Sequence, residues 1–489
     1  MSKTPGAHDL SGSGLTTHSS KLTAQSSRLT AQSSCPPPLS VIPFFDMNGR
    51  CTRSSLFESI DEVLLVMTLS NEQLAESRGP WFPSQLTPMN GWLFFEAYTP
   101  IAGYELWHSN GTTTEQVSNF KQGSQSTTMH SFTPMDGWLY FAANTPDAGQ
   151  ELWRSNGTTT ERVADINPGP ESSFVHCLVV MGSWLYFAAD TPEAGRELWR
   201  SNGATTERLA DVNPGSASSP LHCLTAMDGW LYFRAFAAGA GQELWRSNGA
   251  TTERVADINP GTDSTALHSF TPMDGWLYFA ADTPSTGQEL WRSNGTTTER
   301  VAGIDPGTDS PPPHLLASMD GWIYFTAYTP SAGQELWRNN GFTTERVADI
   351  NPGPDSSHPR SLVPMDGWLY FQAFTAETGQ ELWRTDGITT ARVTHVNPGS
   401  TSSYPRDLTP MNGWIYFTAH TPSTGQELWR TDGSTTERIT DINAGPESSH
   451  PRDLTAMNGW IYFTARTPAT GHELWRTNGI VTERLIQKL

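Results

Sequence analysis

The chain has 489 residues, with 50 acidic and 30 basic side chains and a formal net charge of −20. A protein this acidic repels phosphate backbones, so non-specific nucleic-acid binding is disfavoured. Four cysteines are too few for a disulfide-built scaffold. Since no apolar run approaches the ~18 residues of a membrane-spanning helix, we also expect no membrane span.

The first 40 residues are rich in Ser and Thr and contain a seven-residue echo, Lys-Leu-Thr-Ala-Gln-Ser-Ser followed by Arg-Leu-Thr-Ala-Gln-Ser-Ser. Such a composition buries too little apolar surface to order itself, so residues 1–40 are predicted to be a disordered tail. The first thirty residues also lack the apolar segment of a secretory signal, so the sequence does not fix a compartment.

Residues 41–79 are predicted to be a helical or irregular lead-in. Ser55 and Glu58 have capping-box spacing. Apolar residues then recur at helical intervals, at Leu56, Ile60, Val63, Leu64 and Met67. The alternative is a strand at Val63–Leu69 that helps to close a ring.

From residue 80 to residue 489 the chain consists of nine copies of one 46-residue unit. The first tryptophan of each copy keeps this interval without an insertion, at Trp92, Trp138, Trp184, Trp230, Trp276, Trp322, Trp368, Trp414 and Trp460. Repeats of this length are supersecondary units that bury a shared core by stacking on their neighbours.

Each copy carries signals for four short strands, as the second copy shows. Residues 130–135 lead through Asp136-Gly137, a two-residue hairpin signal, into an apolar run at 138–143. A third strand at 150–155 is predicted to turn at Asn156-Gly157 into a fourth at 158–166. Four-stranded units of this size are the blades of a β-propeller, so we predict an all-β, nine-bladed ring. An open solenoid, or a ring completed by a tenth blade from residues 41–79, is the alternative.

The repeat also resembles a known family. Gly-x-Glu-Leu-Trp-Arg-Ser-Asn-Gly-Thr, followed by Asp-Ile-Asn-Pro-Gly and Ser-Ser, is similar to the bacterial ELW-x-x-DGT repeat family, whose units are regarded as propeller blades. Most copies have Asn-Gly where that family has Asp-Gly, although Asp386-Gly387 and Asp432-Gly433 keep it. The resemblance implies a non-catalytic protein that is usually secreted or at the cell surface, with no defined ligand.

Several repeated residues are predicted to be structural. Trp138 and Trp153 are expected to pack in the core, because burying one large aromatic contributes ~4–6 kcal/mol gross. If Asn156-Gly157 is a two-residue turn, Ser155 faces Thr158 and Glu151 faces Arg162 as a cross-strand ion pair. The same count pairs Glu289 with Arg300 and Glu381 with Arg392.

One repeated position is a candidate binding site. Eight residues before the first tryptophan of each copy, after Ser84 in the first, stand His130, His176, His222, His268, His314, Arg360, Arg406 and Arg452. These residues are predicted to begin the innermost strands and to form an arc at the mouth of the central channel. Basic groups gathered there would attract an anion, whereas the alternative is that each side chain anchors a neighbouring loop. A shared metal is disfavoured, because strands ~10 Å apart hold imidazoles too far from one another.

No other chemistry is indicated. The sequence has no phosphate loop, nucleophile elbow, zinc-ligand spacing or dinucleotide fingerprint, so we expect neither an enzyme nor a cofactor. Cys177 and Cys223 stand where other copies have serine, which indicates small filler rather than a disulfide. The Asp of the Asp-Ile-Asn-Pro-Gly loop, as in Asp165, is expected to shape its turn.

Because nearly every candidate residue is repeated nine times, the sequence favours a multivalent, lectin-like or adhesin-like protein that binds a glycan on its long-loop face. The alternative is a protein-interaction scaffold that uses one broad face or the channel.

Overall fold

A computed structural model describes residues 81–120, 127–284, 287–302, 304 and 313–485 of the chain. The tail predicted at 1–40 and the lead-in predicted at 41–79 lie outside these described residues. Over the described part of the chain the regular elements are all β-strands, without a helix.

Nine four-stranded antiparallel sheets follow one another along the chain, and in each sheet the strands lie in sequence order. Blades 1 to 3 comprise β1 (Trp81–Met89), β2 (Trp92–Thr99), β3 (Gly103–Ser109), β4 (Thr114–Gln116), β5 (Met129–Met135), β6 (Trp138–Thr145), β7 (Gly149–Ser155), β8 (Thr160–Ala164), β9 (His176–Met181), β10 (Trp184–Thr191), β11 (Gly195–Ser201) and β12 (Thr206–Ala210). Blades 4 to 6 comprise β13 (His222–Met227), β14 (Trp230–Ala237), β15 (Gly241–Ser247), β16 (Thr252–Ala256), β17 (Leu267–Met273), β18 (Trp276–Thr283), β19 (Gly287–Ser293), β20 (Thr298–Ala302), β21 (His314–Met319), β22 (Trp322–Thr329), β23 (Gly333–Asn339) and β24 (Thr344–Arg346). Blades 7 to 9 comprise β25 (Arg360–Met365), β26 (Trp368–Thr375), β27 (Gly379–Thr385), β28 (Thr390–Arg392), β29 (Arg406–Met411), β30 (Trp414–Thr421), β31 (Gly425–Thr431), β32 (Thr436–Arg438), β33 (Arg452–Met457), β34 (Trp460–Thr467), β35 (Gly471–Thr477) and β36 (Thr482–Arg484).

The blades form a closed ring. The first strands of neighbouring blades contact one another around the centre, and β33 contacts β1 in the same way. One apolar cluster joins the ends of the described chain, since Leu93 and Phe95 of blade 1 pack with Tyr462 and Leu474 of blade 9. The closing contact uses side chains, and each sheet consists of strands from its own repeat. The predicted nine-bladed propeller is confirmed, and the ring closes without the tenth blade that we considered.

The Asp-Gly hairpins explain how each blade begins. Met135 pairs with Trp138 across Asp136 and Gly137, as the sequence predicted. Both turn residues have positive φ, 50° and 80°. This is the geometry of a type I′ turn, whose twist matches that of the two strands. The turn therefore fixes the register of the innermost hairpin in blade 2.

The second strand of each blade supplies the core. In β6 the residues from Leu139 to Ala143 are at most 1% exposed. Both faces of this strand are covered, because neighbouring blades pack on either side of it, which agrees with its uninterrupted apolar sequence. The nine apolar clusters between blades all contain residues of these second strands.

The Asn-Gly turn differs from our prediction. Ser155 pairs with Thr160 rather than with Thr158, so the connection has four residues instead of two. The Asn156 side chain decides this, because its Oδ1 accepts hydrogen bonds from the N–H groups of Thr158 at 2.9 Å and Thr159 at 2.8 Å. A side-chain cap of this kind replaces the backbone geometry of a two-residue hairpin.

The predicted pairing of Glu151 with Arg162 is consequently wrong. Arg162 lies opposite Trp153 and contacts Asp165 at 3.3 Å. Glu151 is fully buried and accepts hydrogen bonds from the N–H groups of Ile166 at 2.9 Å and Asn167 at 3.3 Å. Because the connection is two residues longer than predicted, the Glu151 carboxylate bonds to the loop after the fourth strand instead of to Arg162.

Two other blades retain a contact between the equivalent Glu and Arg. Arg300 lies 3.8 Å from Glu289, and Arg484 lies 3.0 Å from Glu473. In blade 7 the predicted Glu381–Arg392 ion pair does not form within 4.0 Å, and the buried Glu381 Oε1 and Arg392 Nη1 atoms have no hydrogen-bond partner among the described residues. There Glu381 accepts hydrogen bonds from the hydroxyls of Thr394 and Ser403, each at 2.8 Å.

A repeated contact, which we call the latch, locks each blade to the next on the face that carries the Asp-Gly and Asn-Gly turns. In blade 2 the Arg154 guanidinium lies 4.2 Å above the Trp138 ring and contacts Glu161 at 2.5 Å. The turn glycine of blade 3, Gly203, packs so closely on Arg154 and Tyr140 that a Cβ there would overlap them. Each guanidinium–indole stack contributes about 0.5–1 kcal/mol or more.

The latch recurs around the ring and also closes it. The stacked pairs are Arg154–Trp138, Arg200–Trp184, Arg246–Trp230, Arg292–Trp276, Arg338–Trp322, Arg384–Trp368, Arg430–Trp414 and Arg476–Trp460. Gly111 of blade 1 sits on Arg476 and Tyr462 of blade 9. Blade 1 itself has His108 in place of the arginine, stacked on Trp92 at 4.0 Å between ring centroids.

Candidate functional site

The predicted arc lies on the opposite face, where the long loops deliver the chain to the innermost strands. His130 is the second residue of β5, and His268 is the second residue of β17. Each of the other six is the first residue of its innermost strand, namely His176, His222, His314, Arg360, Arg406 and Arg452. The structure therefore places the eight residues at equivalent points around the channel mouth.

Neighbouring histidines approach more closely than strand spacing suggested. The ring centroids of His176 and His222 lie 6.4 Å apart, and those of His268 and His314 lie 5.3 Å apart and nearly parallel. Among the described residues no group of three or more His, Cys, Asp or Glu side chains is arranged to hold a metal ion.

The histidines are also hydrogen-bonded to their surroundings. His130 contacts Ser131 Oγ at 2.9 Å and Gln150 Nε2 at 2.6 Å. His176 Nδ1 contacts the Phe174 carbonyl at 2.8 Å. These contacts are those expected of loop anchors, which was the alternative to anion binding.

Burial lowers the pKa of His130, His222, His268 and His314 below the ordinary value. Desolvation disfavours the charged imidazole, and neighbouring positive or protonatable groups add to the effect. Most of these rings are therefore neutral at pH 7. The arc would therefore gain positive charge only below the unperturbed histidine pKa of about 6.5.

The arc contains a further cation, Arg234, that the sequence analysis did not identify. Arg234 lies directly opposite His222 in the first hairpin of blade 4, and its Nη1 donates to the Leu267 carbonyl at 3.1 Å. The equivalent residues in neighbouring blades are Ala188 and Ala280. The signal that could have revealed it was an arginine at a repeat position that holds alanine or threonine in most copies.

The residue after each arc position interrupts the innermost strand. Ser131, Cys177 and Asp407 have φ of 63°, 56° and 56°, which is the left-handed region, and the strand pairing shifts there. Cys177 and Cys223 are free thiols. Burial raises the pKa of both thiols, so they are protonated at neutral pH.

The arginine side of the arc contains a cavity of about 660 Å³ at the junction of blades 7 and 8. It is lined by His358, Arg360, Ser361, Gln372, Phe374, Gln380, Ser402, Tyr404, Arg406 and Asp407. Two of the predicted arc residues therefore share one concave site. A smaller cavity of about 310 Å³, lined by Tyr404, Arg406, His420 and Gln426, shares Tyr404 and Arg406 with it.

Two aromatic rings are presented at this junction. Tyr404 is 51% exposed and Phe374 is 37% exposed. Tyr404 has φ of 49°, an unusual conformation for a bulky residue that holds the ring at the rim. Neither aromatic was predicted as a site residue, because each belongs to a loop or strand position that varies among the repeats.

The guanidiniums of Arg360 and Arg406 differ from that of the third arginine of the arc. Both Arg360 and Arg406 are exposed, and among the described residues neither has a carboxylate within 4.0 Å. By contrast, Arg452 donates to Thr464 Oγ1 at 3.3 Å and lies 3.9 Å from Asp453. Surrounding protein and Asp453 raise the pKa of Asp407, while Arg406 opposes that rise.

The residues predicted to be structural behave differently from the arc. Trp138 is half-buried beneath Arg154 in the latch. Trp153 is half-buried against the apolar cluster between blades 1 and 2. On the turn face, three repeats place large apolar residues at the turn tip, where Phe342, Ile388 and Ile480 are 96%, 89% and 89% exposed.

Residues 274–480, under half of the chain, match the family model described as outer membrane protein assembly factor BamB. No curated protein matches. Over the part of the chain that the structure describes, no helix is long and apolar enough to cross a membrane.

The solved structures that match this chain share little sequence with it. The computationally designed Ika8 protein is 11% identical over 72% of this chain and 97% of its own, with a TM-score of 0.43. A prolyl endopeptidase is 9% identical over 87% of this chain, with a TM-score of 0.43, and a Mycobacterium tuberculosis puromycin-hydrolyzing peptidase is 12% identical over 82%, with a TM-score of 0.38. The chain spans 58% and 59% of those two peptidases. None of these likenesses assigns a function.

Proposed function

We propose that this propeller is a non-enzymatic, lectin-like binding protein that takes a glycan at its channel mouth, between blades 7 and 8. The observation that carries the proposal is the cavity of about 660 Å³ that combines exposed Tyr404 and Phe374 with Arg360, Arg406 and side-chain amides. Aromatic faces and a few fixed polar groups are what a small-molecule site uses to bind and orient its ligand.

The polar groups of the cavity support binding rather than catalysis. The Ser402 hydroxyl accepts a hydrogen bond from the Gln380 N–H at 2.9 Å, and the Ser361 hydroxyl accepts one from Gln372 at 3.1 Å. His358 Nδ1 contacts Gln334 Oε1 at 3.1 Å. The hydrogen bonds described for the two hydroxyls are thus with amide groups rather than with a base of the kind that activates a nucleophile.

The repeats predicted similar binding sites on several blades, but the residues that line this cavity differ among the copies. Tyr404 corresponds to His358, His450 and Phe174 in other copies, and Phe374 corresponds to Asn144 and Asp190. Since the lining residues change from blade to blade, we place the principal site at one junction. We also propose that the repeats belong with the ELW-x-x-DGT group, on the motif residues quoted above.

Titration calorimetry following a glycan-array screen tests this function. We expect a saccharide to bind the purified chain and its affinity to fall about tenfold or more in Tyr404→Ala. Phe174→Ala is the matched control, because Phe174 occupies the same repeat position, is 54% exposed and has φ of 47°. Equal losses in the two variants, or no binding by any saccharide, would refute the proposal.

A further inference from the structure

We infer that the ligand of the channel-mouth site is an acidic saccharide whose carboxylate is bound by Arg360 and Arg406. This inference rests on the proposed glycan-binding function and names the chemical class of the glycan. It comes from the placement of these two arginines: both line one cavity, and among the described residues neither guanidinium has a carboxylate within 4.0 Å.

The other arginine columns are occupied by structural contacts. The latch arginines stack on tryptophan, as Arg338 does on Trp322 at 4.1 Å, and Arg338 also contacts Glu345 at 2.6 Å. Of the eight arginines of the fourth strands, seven contact a carboxylate of the following loop or of the third strand, as Arg346 contacts Asp349 at 3.4 Å. An arginine with neither kind of partner, in a molecule of charge −20, is available for an external anion.

Charge within the cavity favours one carboxylate. Arg360 and Arg406 contribute two positive charges, and Asp407, which lines the same cavity, contributes up to one negative charge. The local balance is therefore at least one positive charge, which a single carboxylate neutralises. Planar guanidiniums match a carboxylate with paired hydrogen bonds, which a point charge would not do.

The remaining lining groups suit the rest of a sugar ring. Gln380 Nε2 donates to Gln372 Oε1 at 2.9 Å, and Gln372 Nε2 donates to Ser361 Oγ at 3.1 Å. These amides are thereby fixed at the wall of the cavity, where they can exchange hydrogen bonds with hydroxyl groups. Tyr404 and Phe374 offer exposed faces to the apolar face of the same ring.

The histidine side of the arc does not provide the same site. At the corresponding positions His268 and His314 stack on each other, and burial lowers the pKa of both rings. They are largely neutral at pH 7 and so offer an anion little charge. Arg234, the arginine on this side, donates to the Leu267 carbonyl at 3.1 Å and lies outside the cavity lining. Anion binding at neutral pH should therefore depend mainly on blades 7 and 8.

The test uses the full chain and a panel of uronic-acid and sialic-acid oligosaccharides, each paired with its carboxyl-amidated form. Titration calorimetry at pH 7.5 should show that the acid form of at least one pair binds about tenfold or more tightly than its amide. Raising the salt concentration should weaken binding of the acid form and leave binding of the amide unchanged.

Variants then locate the carboxylate. Arg360→Gln and Arg406→Gln should each reduce binding of the acid form about tenfold or more, to the level of the amide, and Arg406→Lys should restore part of it. Arg452→Gln is the matched control, because Arg452 belongs to the same arc but lies outside the cavity lining, and it should bind as the parent protein does. Circular dichroism checks that each variant is folded.

The outcomes separate the two proposals. If acid and amide forms bind equally, and Tyr404→Ala weakens both, the glycan-binding function stands and the acidic ligand is wrong. If no saccharide of either form binds the folded chain, the proposed function fails, and this inference fails with it. An effect of Arg452→Gln as large as that of Arg406→Gln would show general attraction around the mouth and would also overturn the inference.

Discussion

The two faces of the ring differ in how much their residues vary from one repeat to the next. On the turn face the latch is nearly invariant, and eight of the nine blades stack an arginine on the first tryptophan at 4.0–4.2 Å. On the channel-mouth face the equivalent positions hold serine, histidine or arginine, and their neighbours range from Ala142 to Arg234 and Gln372. The same backbone unit is thus constant on one face and varied on the other.

This difference separates residues that hold the ring from residues that distinguish its blades. A latch residue contacts the next blade, so every junction needs the same set of side chains. A channel-mouth residue contacts its own blade and its neighbours in the arc, outside the apolar clusters between blades, so its identity can change with less effect on packing. Departure from the repeat is therefore a better guide to a binding site here than the repeat itself.

The largest expected effect is at the glycine that begins the third strand on the varied face. In Gly149→Ala the new Cβ would lie 2.7 Å from the backbone of Glu171 and Ser172, in the long loop that covers the mouth. Backbone cannot move aside as a side-chain end can, so we expect a loss of about 3 kcal/mol from overpacking and left-handed strain.

Chemical denaturation followed by tryptophan fluorescence measures this loss. Gly182→Ala is the control, because Gly182 has φ of 62°, against 63° for Gly149, and nothing lies within 4 Å of its added Cβ. It should cost only about 1 kcal/mol. Equal losses of stability in both variants would show that the loop at residues 171–172 moves aside to accept the new Cβ, so that its close packing on Gly149 contributes little to stability.

The second prediction concerns the buried carboxylates that anchor the same loops. Glu335 accepts hydrogen bonds from the N–H groups of Ile350 and Ser357 at 3.1 and 3.0 Å, yet burial raises its pKa to about 7. The folded state therefore keeps a proton that the unfolded chain releases above about pH 4.5. The stabilising contribution is present below that pH and is lost as pH rises through 7, at up to about 1.4 kcal/mol per pH unit.

Unfolding free energies of the parent and Glu335→Gln, measured from pH 5 to pH 8, test this slope. We expect the parent to lose stability relative to the variant across that range. The arc histidines with lowered pKa act in the opposite direction below about pH 6.5, but they are present in both proteins and cancel in the difference. Parallel pH profiles would contradict the raised pKa.

The smallest expected effect is at the latch. Arg200→Lys keeps the charge but loses the planar group that lies 4.1 Å over Trp184 and donates to Glu207 at 2.7 Å. We expect a loss of about 1 kcal/mol in denaturation experiments. Arg208→Lys should cost less than about 0.5 kcal/mol, because Arg208 forms only a surface contact with Asp211. A reversed order would mean that the repeated stack is not what joins the blades.

Much of the fold followed from sequence because its signals are local. The 46-residue interval, the apolar run from Leu139 to Ala143 and the Asp136-Gly137 turn each predicted a feature that the structure contains. The arc residues also lie at the predicted strand starts, since a fixed distance from a fixed turn locates them. What failed was the second turn, where Asn156 caps its own backbone and adds two residues to the connection.

The sequence by itself determined the number of blades, their strand order and the face that each repeated position occupies, because hydrophobic period and turn chemistry act over a few residues. Only the tertiary structure decided what these positions touch. Arg154 stacks on Trp138 and packs against Gly203 of the next blade. Glu151 accepts a hydrogen bond from the N–H group of Ile166. Arg360 lines one cavity together with Arg406, Phe374 and Tyr404. Such contacts join residues far apart in the chain or in different blades, and they depend on register and on the packing of neighbouring sheets, which no single repeat specifies.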